Sequence, residues 1–418
     1  MRTRIIISVI AMATVMSACS NQKASVTSGQ VIPEDAFSVT MPEVTRQIDK
    51  VSFNALEQSC LEASNTLGFN ILQNVYKGNN TVVSPLSLYL ALGMLADGAE
   101  GETLGELLEI LGAKDCETLK GFASRLLTQM PAVDLSAKLK MANTVIVNDK
   151  YRLNAAYRDE VAKNYYAPVE SLPFENEDLV VGAVNAWCDK VTEGLIPQLL
   201  ERIDETTVMF IINALYFKAA WEEPFGDEQV KKRPFNGGNT PIDYLCEMSE
   251  LKYAEGNGYR VARKDFSGGK YAFDIILPDE DESETAILSR LVKGGWNETS
   301  AKMESQLVRL QFPVIDDTVG YELSETLRAL GLRKTLSRDA ELSPMFEDAA
   351  VWPGQVIQKG KVCVNQFGAE AAAISAVLMA TSAGPDVKYI DFDANRPFIY
   401  VISETTSGTI LYAGVFSE

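Results

Sequence analysis

Residues 366–386 read QFGAEAAAISAVLMATSAGPD, and three local structures compete for them. Residues 370–380 are dense in Ala, Leu and Met with no internal Gly or Pro, which makes them a good helix former. Taken in steps of two, the same run fits a strand. Ala369, Ala371, Ala373 and Ser375 then point one way, and Glu370, Ala372, Ile374 and Ala376 the other. The first row carries only tiny side chains, so it can enter a sheet without cutting a large hole in the layer beneath. A segment open to loop, helix and inserted strand is a candidate switch.

Outward from this stretch, residues 355–366 read as a strand, and residues 398–403 and 409–416 close the chain as a hairpin around Thr405 to Gly408. The first half is mainly helical by periodicity: 51–77 (with a break expected near Asn65 and Gly68), 86–96 behind the Ser84-Pro85 cap signal, 102–111, 116–129, 154–166 and 178–191. Strands are expected at 81–83, 138–148 and 168–174, and residues 207–217, TVMFIINALYF, read as a central strand buried on both faces. Beyond them, strands are expected at 244–248, 252–262, 270–277 and 305–312, with helices at 283–293 and 322–332. Helices first and strands later make an α+β body. No Gly-x-Gly-x-x-Gly run or phosphate loop occurs, so nucleotide binding has no support.

The chain has 418 residues, 46% of them hydrophobic, with no linker, charge block or internal repeat dividing the interior. Its net charge of −19 repels phosphate backbones and anionic lipid, which argues against nucleic acid. Histidine is absent. That removes Ser-His-Asp and Cys-His catalysis and the commonest zinc and iron ligand sets. Paired carboxylates or a Ser-Lys pair remain open to a hydrolase, but neither can be located without geometry, and the expectation is no enzyme, metal or cofactor. After Cys19, five widely spaced cysteines remain, with no close pair to indicate a disulfide framework. Residues 1–18 have a basic start and an apolar middle that ends in small residues before Cys19, a pattern that resembles a bacterial lipoprotein signal. The expectation is therefore a lipid anchor at Cys19, a flexible tether over 19–48 and a monomeric body over 49–418. The chain would be secreted across the inner membrane and held at the bacterial outer membrane or cell surface, with a periplasmic or extracellular location as the alternative.

Five segments in order resemble the serpin family: NNTVVSPLSLYLALGMLADGAEGETLGELLEILG from Asn79, VNAWCDKVTEGLIPQLL from Val184, IINALYFKAAWEEPF from Ile211, VIQKGKVCVNQFGAEAAAISA from Val356 and DANRPFIYVISETTSGTILYAGVF from Asp393. The resemblance implies an α+β serpin fold of three β-sheets and eight or nine helices, with an exposed reactive loop over about residues 368–390. It implies a suicide inhibitor of serine or cysteine endopeptidases, in which the target attacks the loop, an acyl-enzyme forms, and the cut loop enters the central sheet. The alternative within the family is a non-inhibitory member acting as a binding or carrier protein, or as a protease substrate.

Carried over residue by residue, the resemblance makes Gly368, Ala369, Glu370, Ala371, Ala372, Ala373, Ile374 and Ser375 the hinge of the loop. Ser84, Ser87 and Asn213 match the polar cluster under the parting strands, where Gln358 stands in place of the family's usual histidine. Trp221 matches the tryptophan where insertion begins. The common spacing puts the scissile bond between Ser382 and Ala383, with Leu378, Met379, Ala380 and Thr381 as alternatives. All of these are small or medium and uncharged, which points to elastase-, subtilisin- or papain-like targets.

Overall fold

The computed structural model describes residues 37, 44–204, 207–347, 351–353, 356–369 and 388–418. Contacts divide the chain into residues 1–36 and 37–418, and all of the structure below belongs to the second unit.

The helical half is built from α1 (Ala55–Val75), α2 (Pro85–Ala96), α3 (Gly101–Ile110), α4 (Cys116–Gln129), α5 (Ala155–Asn164) and α6 (Glu177–Val191), with β1 (Thr81–Val83), β2 (Lys138–Asn148) and β3 (Val169–Leu172) between them. Ser84 caps α2 by accepting from the Ser87 backbone N–H, and Pro85 fills its first turn. Every residue of α2 except Ala91 is buried. At about 1.5–3 kcal/mol per large apolar side chain, this helix anchors the body. The expected break in α1 does not occur. Gly68 lets Pro85 approach so closely that a β-carbon there would lie 2.2 Å from its ring. Asn65 spends its amide on the last hairpin, donating to the Gly408 carbonyl at 2.8 Å and accepting from the Ile410 N–H at 3.1 Å. Both helix breakers are thus used for packing.

The second half comprises β4 (Met209–Ala220), β5 (Val230–Pro234), β6 (Pro241–Gly256), β7 (Tyr259–Asp265), β8 (Tyr271–Pro278), α7 (Glu284–Arg290), α8 (Trp296–Ser300), β9 (Glu304–Pro313), β10 (Ile315–Glu322), α9 (Ser324–Ala329), β11 (Ile357–Asn365), β12 (Gly368–Ala369), β13 (Ile390–Asp393), β14 (Phe398–Glu404) and β15 (Ile410–Phe416). The α+β architecture is as expected, with nine α-helices among the described residues and two hydrogen-bonded sheets where three were expected. The strands run in two hydrogen-bonded sheets. One is nine-stranded in the order β1-β15-β14-β8-β7-β6-β9-β13 with β5 beside β6, and the other is six-stranded in the order β10-β11-β12-β4-β2-β3. The larger sheet is continuous because β6 is a single run of 16 residues that pairs with β5 near its start, with β9 along most of its length and with β7 near its end. The sequence reading had split it at Ser249.

Three other readings change. Residues 315–322, IDDTVGYE, form β10 although two aspartates and a glycine are poor strand formers, because all eight pair with β11. The helix expected over 322–332 shrinks to α9. β4 is not buried on both faces: Met209, Ile211, Asn213 and Lys218 are half-buried while Phe210, Ile212 and Ala214 are buried.

Asp97, at the C-terminal cap of α2, sits among Cys116, Glu117 and Lys120 of α4 and Glu160 of α5. Burial pushes its carboxyl up to about 7, against the pull of the Lys120 ammonium. The carbonyl end of a helix further disfavours a negative charge. The folded carboxyl holds its proton more tightly than the unfolded one, whose pKa is about 3.9. Stability from that proton is therefore complete below the unfolded value and is lost as pH rises through about 7. Asp97→Asn is expected to leave the melting temperature unchanged near pH 4 and to raise it at pH 8 by the equivalent of about 1–3 kcal/mol. Scanning calorimetry of variant and parent at the two pH values checks this, and equal melting at pH 8 contradicts it.

Candidate functional site

In the six-stranded sheet, β4 pairs with β2 over residues 209–218, and β11 pairs with β10 from Ile357 to Val364. The opposite edges of β4 and β11 face each other. Among the described residues no ladder joins them directly, and β12 alone bridges them, antiparallel to both. Ala369 stands opposite Val364 on one side and Ala219 on the other, and Gly368 opposite Asn365 and Ala220. Ala369 is 3% exposed and belongs to the core. Gly368 has a φ of +141°, and a β-carbon on it would lie 2.0 Å from the Ala219 carbonyl oxygen. Only glycine passes that point. Below it, the strand edges carry backbone donors and acceptors that no neighbouring strand among the described residues satisfies.

The closed end of this slot is organised by Trp221. Its backbone N–H donates to the Phe367 carbonyl at 2.9 Å, and its indole N–H donates to the Asn365 carbonyl at 2.8 Å, so one residue at the end of β4 grips the turn between β11 and β12. The Phe225 N–H does the same for Gln366 at 2.9 Å. The Trp221 ring stacks on Phe266 at 4.5 Å with the planes 1° apart. The sequence did not reveal what lies against it. The Lys264 ammonium sits 5.6 Å from the Trp221 ring centre and 4.5 Å from that of Phe225, and is paired at 2.9 Å with Glu247, the two side chains being 4% and 6% exposed. A buried pair of this kind gives little net stability, but removing one partner leaves a desolvated charge, so it fixes geometry more than it adds energy.

Ser84, Ser87, Asn213 and Gln358 do come together, around a cavity of about 40 Å³ under the slot. Such a space admits a water molecule. Gln358 on β11 donates to the Ser84 carbonyl at 2.8 Å and accepts from the Ser84 N–H at 3.3 Å, so its amide pairs with the backbone at the cap of α2. The Ser84 hydroxyl meets that of Ser87 at 2.9 Å. Asn213 on β4 donates instead to the Asn143 side chain on β2 at 2.6 Å, and Asn143 donates to the Tyr165 carbonyl at 2.7 Å. The network is therefore two halves, one fixed to α2 and one to β2. Its side chains are amides and hydroxyls, none of which changes charge in the physiological pH range. Asn143 was missed in the sequence, although the alternation of Leu139, Met141, Asn143 and Val145 marks it as an inward amide in an apolar row.

The remaining expected residues, Glu370, Ala371, Ala372, Ala373, Ile374, Ser375, Leu378, Met379, Ala380, Thr381, Ser382 and Ala383, lie outside the described residues, as does Cys19. The chain is described again from Lys388 and enters β13, which pairs in parallel with β9. Two ion pairs hold that strand: Arg233 with Asp393 at 2.6 Å and Arg309 with Asp391 at 2.5 Å. The described chain thus stops at Ala369 in one sheet and is next described at Lys388, ahead of β13 in the other.

Comparison with known proteins follows the same lines. Residues 62–418 match the family described as Serpin (serine protease inhibitor). Iripin-3 of the tick Ixodes ricinus is 30% identical over 367 residues, covering 84% of this chain and 93% of that protein. Serpin-Z4 of Hordeum vulgare is 29% identical over 355 residues, covering 80% and 89%. Among solved structures, native tengpin, a thermophilic serpin, superposes with a TM-score of 0.81 at 25% identity, covering 92% of this chain and all of its own. Arabidopsis AtSerpin1 superposes with a TM-score of 0.75 at 23% identity, covering 88% of this chain and 99% of its own. These findings overturn the expectation of a bacterial lipoprotein. The curated relatives come from a tick and from cereals, and among the described residues no helix is long and apolar enough to cross a membrane. The lipid anchor at Cys19 and the bacterial outer-membrane, surface or periplasmic location are withdrawn with it. The matched family and the superposed folds agree, and the chain belongs to the serpins, with a protease-inhibitory rather than a catalytic role.

Proposed function

We propose that this serpin is an irreversible suicide-substrate inhibitor of serine or cysteine endopeptidases, working by acyl-enzyme trapping followed by insertion of the cut loop between β4 and β11. The observation that carries the reading is β12, two residues of a new middle strand already seated in register between those strands. Ala369 faces the core, and a strand continued from it on insertion would carry Ala371, Ala373 and Ser375 on the same inward row. Each further residue that enters satisfies backbone groups on both edges, at about 0.5–1.5 kcal/mol net per hydrogen bond. While the loop is intact, the pull is opposed because its far end is held in β13 by the Arg233–Asp393 and Arg309–Asp391 pairs. Cleavage frees one end, and insertion then races hydrolysis of the acyl bond. The uncharged residues around Ser382 and Ala383 suit elastase-, subtilisin- or papain-like pockets.

The direct test is incubation with a panel of such proteases followed by denaturing gels and mass mapping. An SDS-resistant adduct is expected, with the new C-terminus within residues 378–382. Clean cleavage without adduct across the panel would make the chain a binding, carrier or substrate-like member instead. Two substitutions test the geometry. Ala371→Arg would have to bury a guanidinium or force the sheet apart once the cut loop inserts, so adduct yield is expected to fall about tenfold or more. Gly368→Val cannot keep its place against Ala219, and the amides of Ala219 and Ala220 are expected to exchange faster in the uncut variant. Parent-like adduct yield in the first, or parent-like exchange in the second, contradicts the inward assignment of the hinge.

A further inference from the structure

Lys264 stands where the packing calls for an apolar residue. It lies in the row Ala262, Lys264, Phe266 at the end of β7, and all three are buried. Its ammonium meets both carboxylate oxygens of Glu247, at 2.9 and 3.0 Å. β6 pairs with β7 only over residues 252–256, so at Glu247 the two strands have parted and the ion pair spans the gap. Apolar residues in both places would fill the same space without desolvating a charge, and such replacements are often neutral or stabilising. Stability therefore does not account for the pair; direction does. The ammonium faces two rings at once, 4.5 Å from the centre of Phe225 and 5.6 Å from that of Trp221. Held by Glu247, a desolvated cation attracts both. These are the residues whose backbone N–H groups hold the turn between β11 and β12, Trp221 on the Phe367 carbonyl and Phe225 on the Gln366 carbonyl, each at 2.9 Å. The Trp221 indole adds the Asn365 carbonyl at 2.8 Å. Two residues thus fix three successive carbonyls, and one cation orients both residues. Any lengthening of β12 starts from this turn, with Ala369 opposite Val364 and Ala219.

We propose that Lys264, fixed by Glu247, is a positioning residue for the trapping reaction described above, on which this inference rests: it holds Trp221 and Phe225 so that insertion starts in register, and it thereby sets how many chains are cut for each protease trapped. A turn free to swing loses that register, the first inserted residues pair late, and hydrolysis of the acyl bond gains. Lys264 acts through the two rings and not on the protease, so association is unaffected and only the fate of the acyl-enzyme changes.

The experiment compares the full-length parent with Lys264→Arg, Lys264→Met and the double variant Lys264→Met/Glu247→Met, against a protease that the parent traps. Lys264→Met alone strands the Glu247 carboxylate and is expected to lower the melting temperature, whereas the double variant removes both charges and is expected to melt like the parent. In the double variant the number of chains cut per protease trapped is nevertheless expected to rise about threefold or more, with the association rate constant unchanged. Lys264→Arg keeps a cation against the rings and is expected to keep the parent ratio. A merely structural role predicts a parent-like ratio wherever melting is parent-like, and that result in the double variant would overturn the proposal. If Lys264→Met does not fold, the other two variants decide. Amide exchange in the uncut chain gives a readout independent of trapping: the Trp221 and Phe225 N–H groups are expected to exchange about tenfold faster in the double variant and at the parent rate in Lys264→Arg. If the parent traps no protease, the inhibitor reading fails and exchange alone decides, with parent-like exchange in the double variant overturning the positioning role.

Discussion

Two strand edges that face each other without pairing set the terms for the rest of this molecule. β4 and β11 are each fully paired on one side, by β2 and β10, and held apart on the other by the two residues of β12. Unpaired edges in a folded protein are ordinarily short, covered or charged. These are long and lie over a core whose helix α2 is buried on nearly every side. On the reading proposed above, the uncut fold is held short of a sheet that residues after Ala369 would complete, and the restraint is topological, with one end at Ala369 and the other in β13.

Parts on either side of the slot keep this arrangement from relaxing. At the closed end, Trp221 holds both Asn365 and Phe367, and the Lys264–Glu247 pair braces the ring from behind. Under the slot, Gln358 ties β11 to the cap of α2 while Asn213 ties β4 to β2 through Asn143. Because the two halves are separate, parting β4 from β11 breaks no hydrogen bond between Gln358 and Asn213. The cost of opening lies mainly in repacking the half-buried residues of β4, and Gln358 in place of an imidazole leaves that cost free of histidine titration.

Much of this was legible in the sequence where structure is decided locally. The Ser84-Pro85 cap, the bounds of α4 and the whole of β2 follow from capping, periodicity and alternation over a few residues. The row of small residues from Ala369 was legible as strand-compatible for the same reason. What failed depends on partners distant in the chain. β10 is a strand because β11 is beside it, and Asn65 and Gly68 stay inside a helix because Gly408 and Pro85 use them. Lys264 and Glu247, 17 residues apart on neighbouring strands, carry no mark of their pairing in the sequence. The anchoring expectation rested on the first 19 residues alone, with nothing elsewhere in the chain to check it, and the relatives overturned it.

The most direct measurement is amide hydrogen exchange across β4 and β11 before and after a single cut in residues 370–387. Insertion predicts that the amides of residues 209–217 and 357–364 that face the slot, fast in the uncut chain, become as protected as those already paired with β2 and β10. Exchange at those amides that is unchanged by the cut would show that the severed segment stays outside, and would contradict the account.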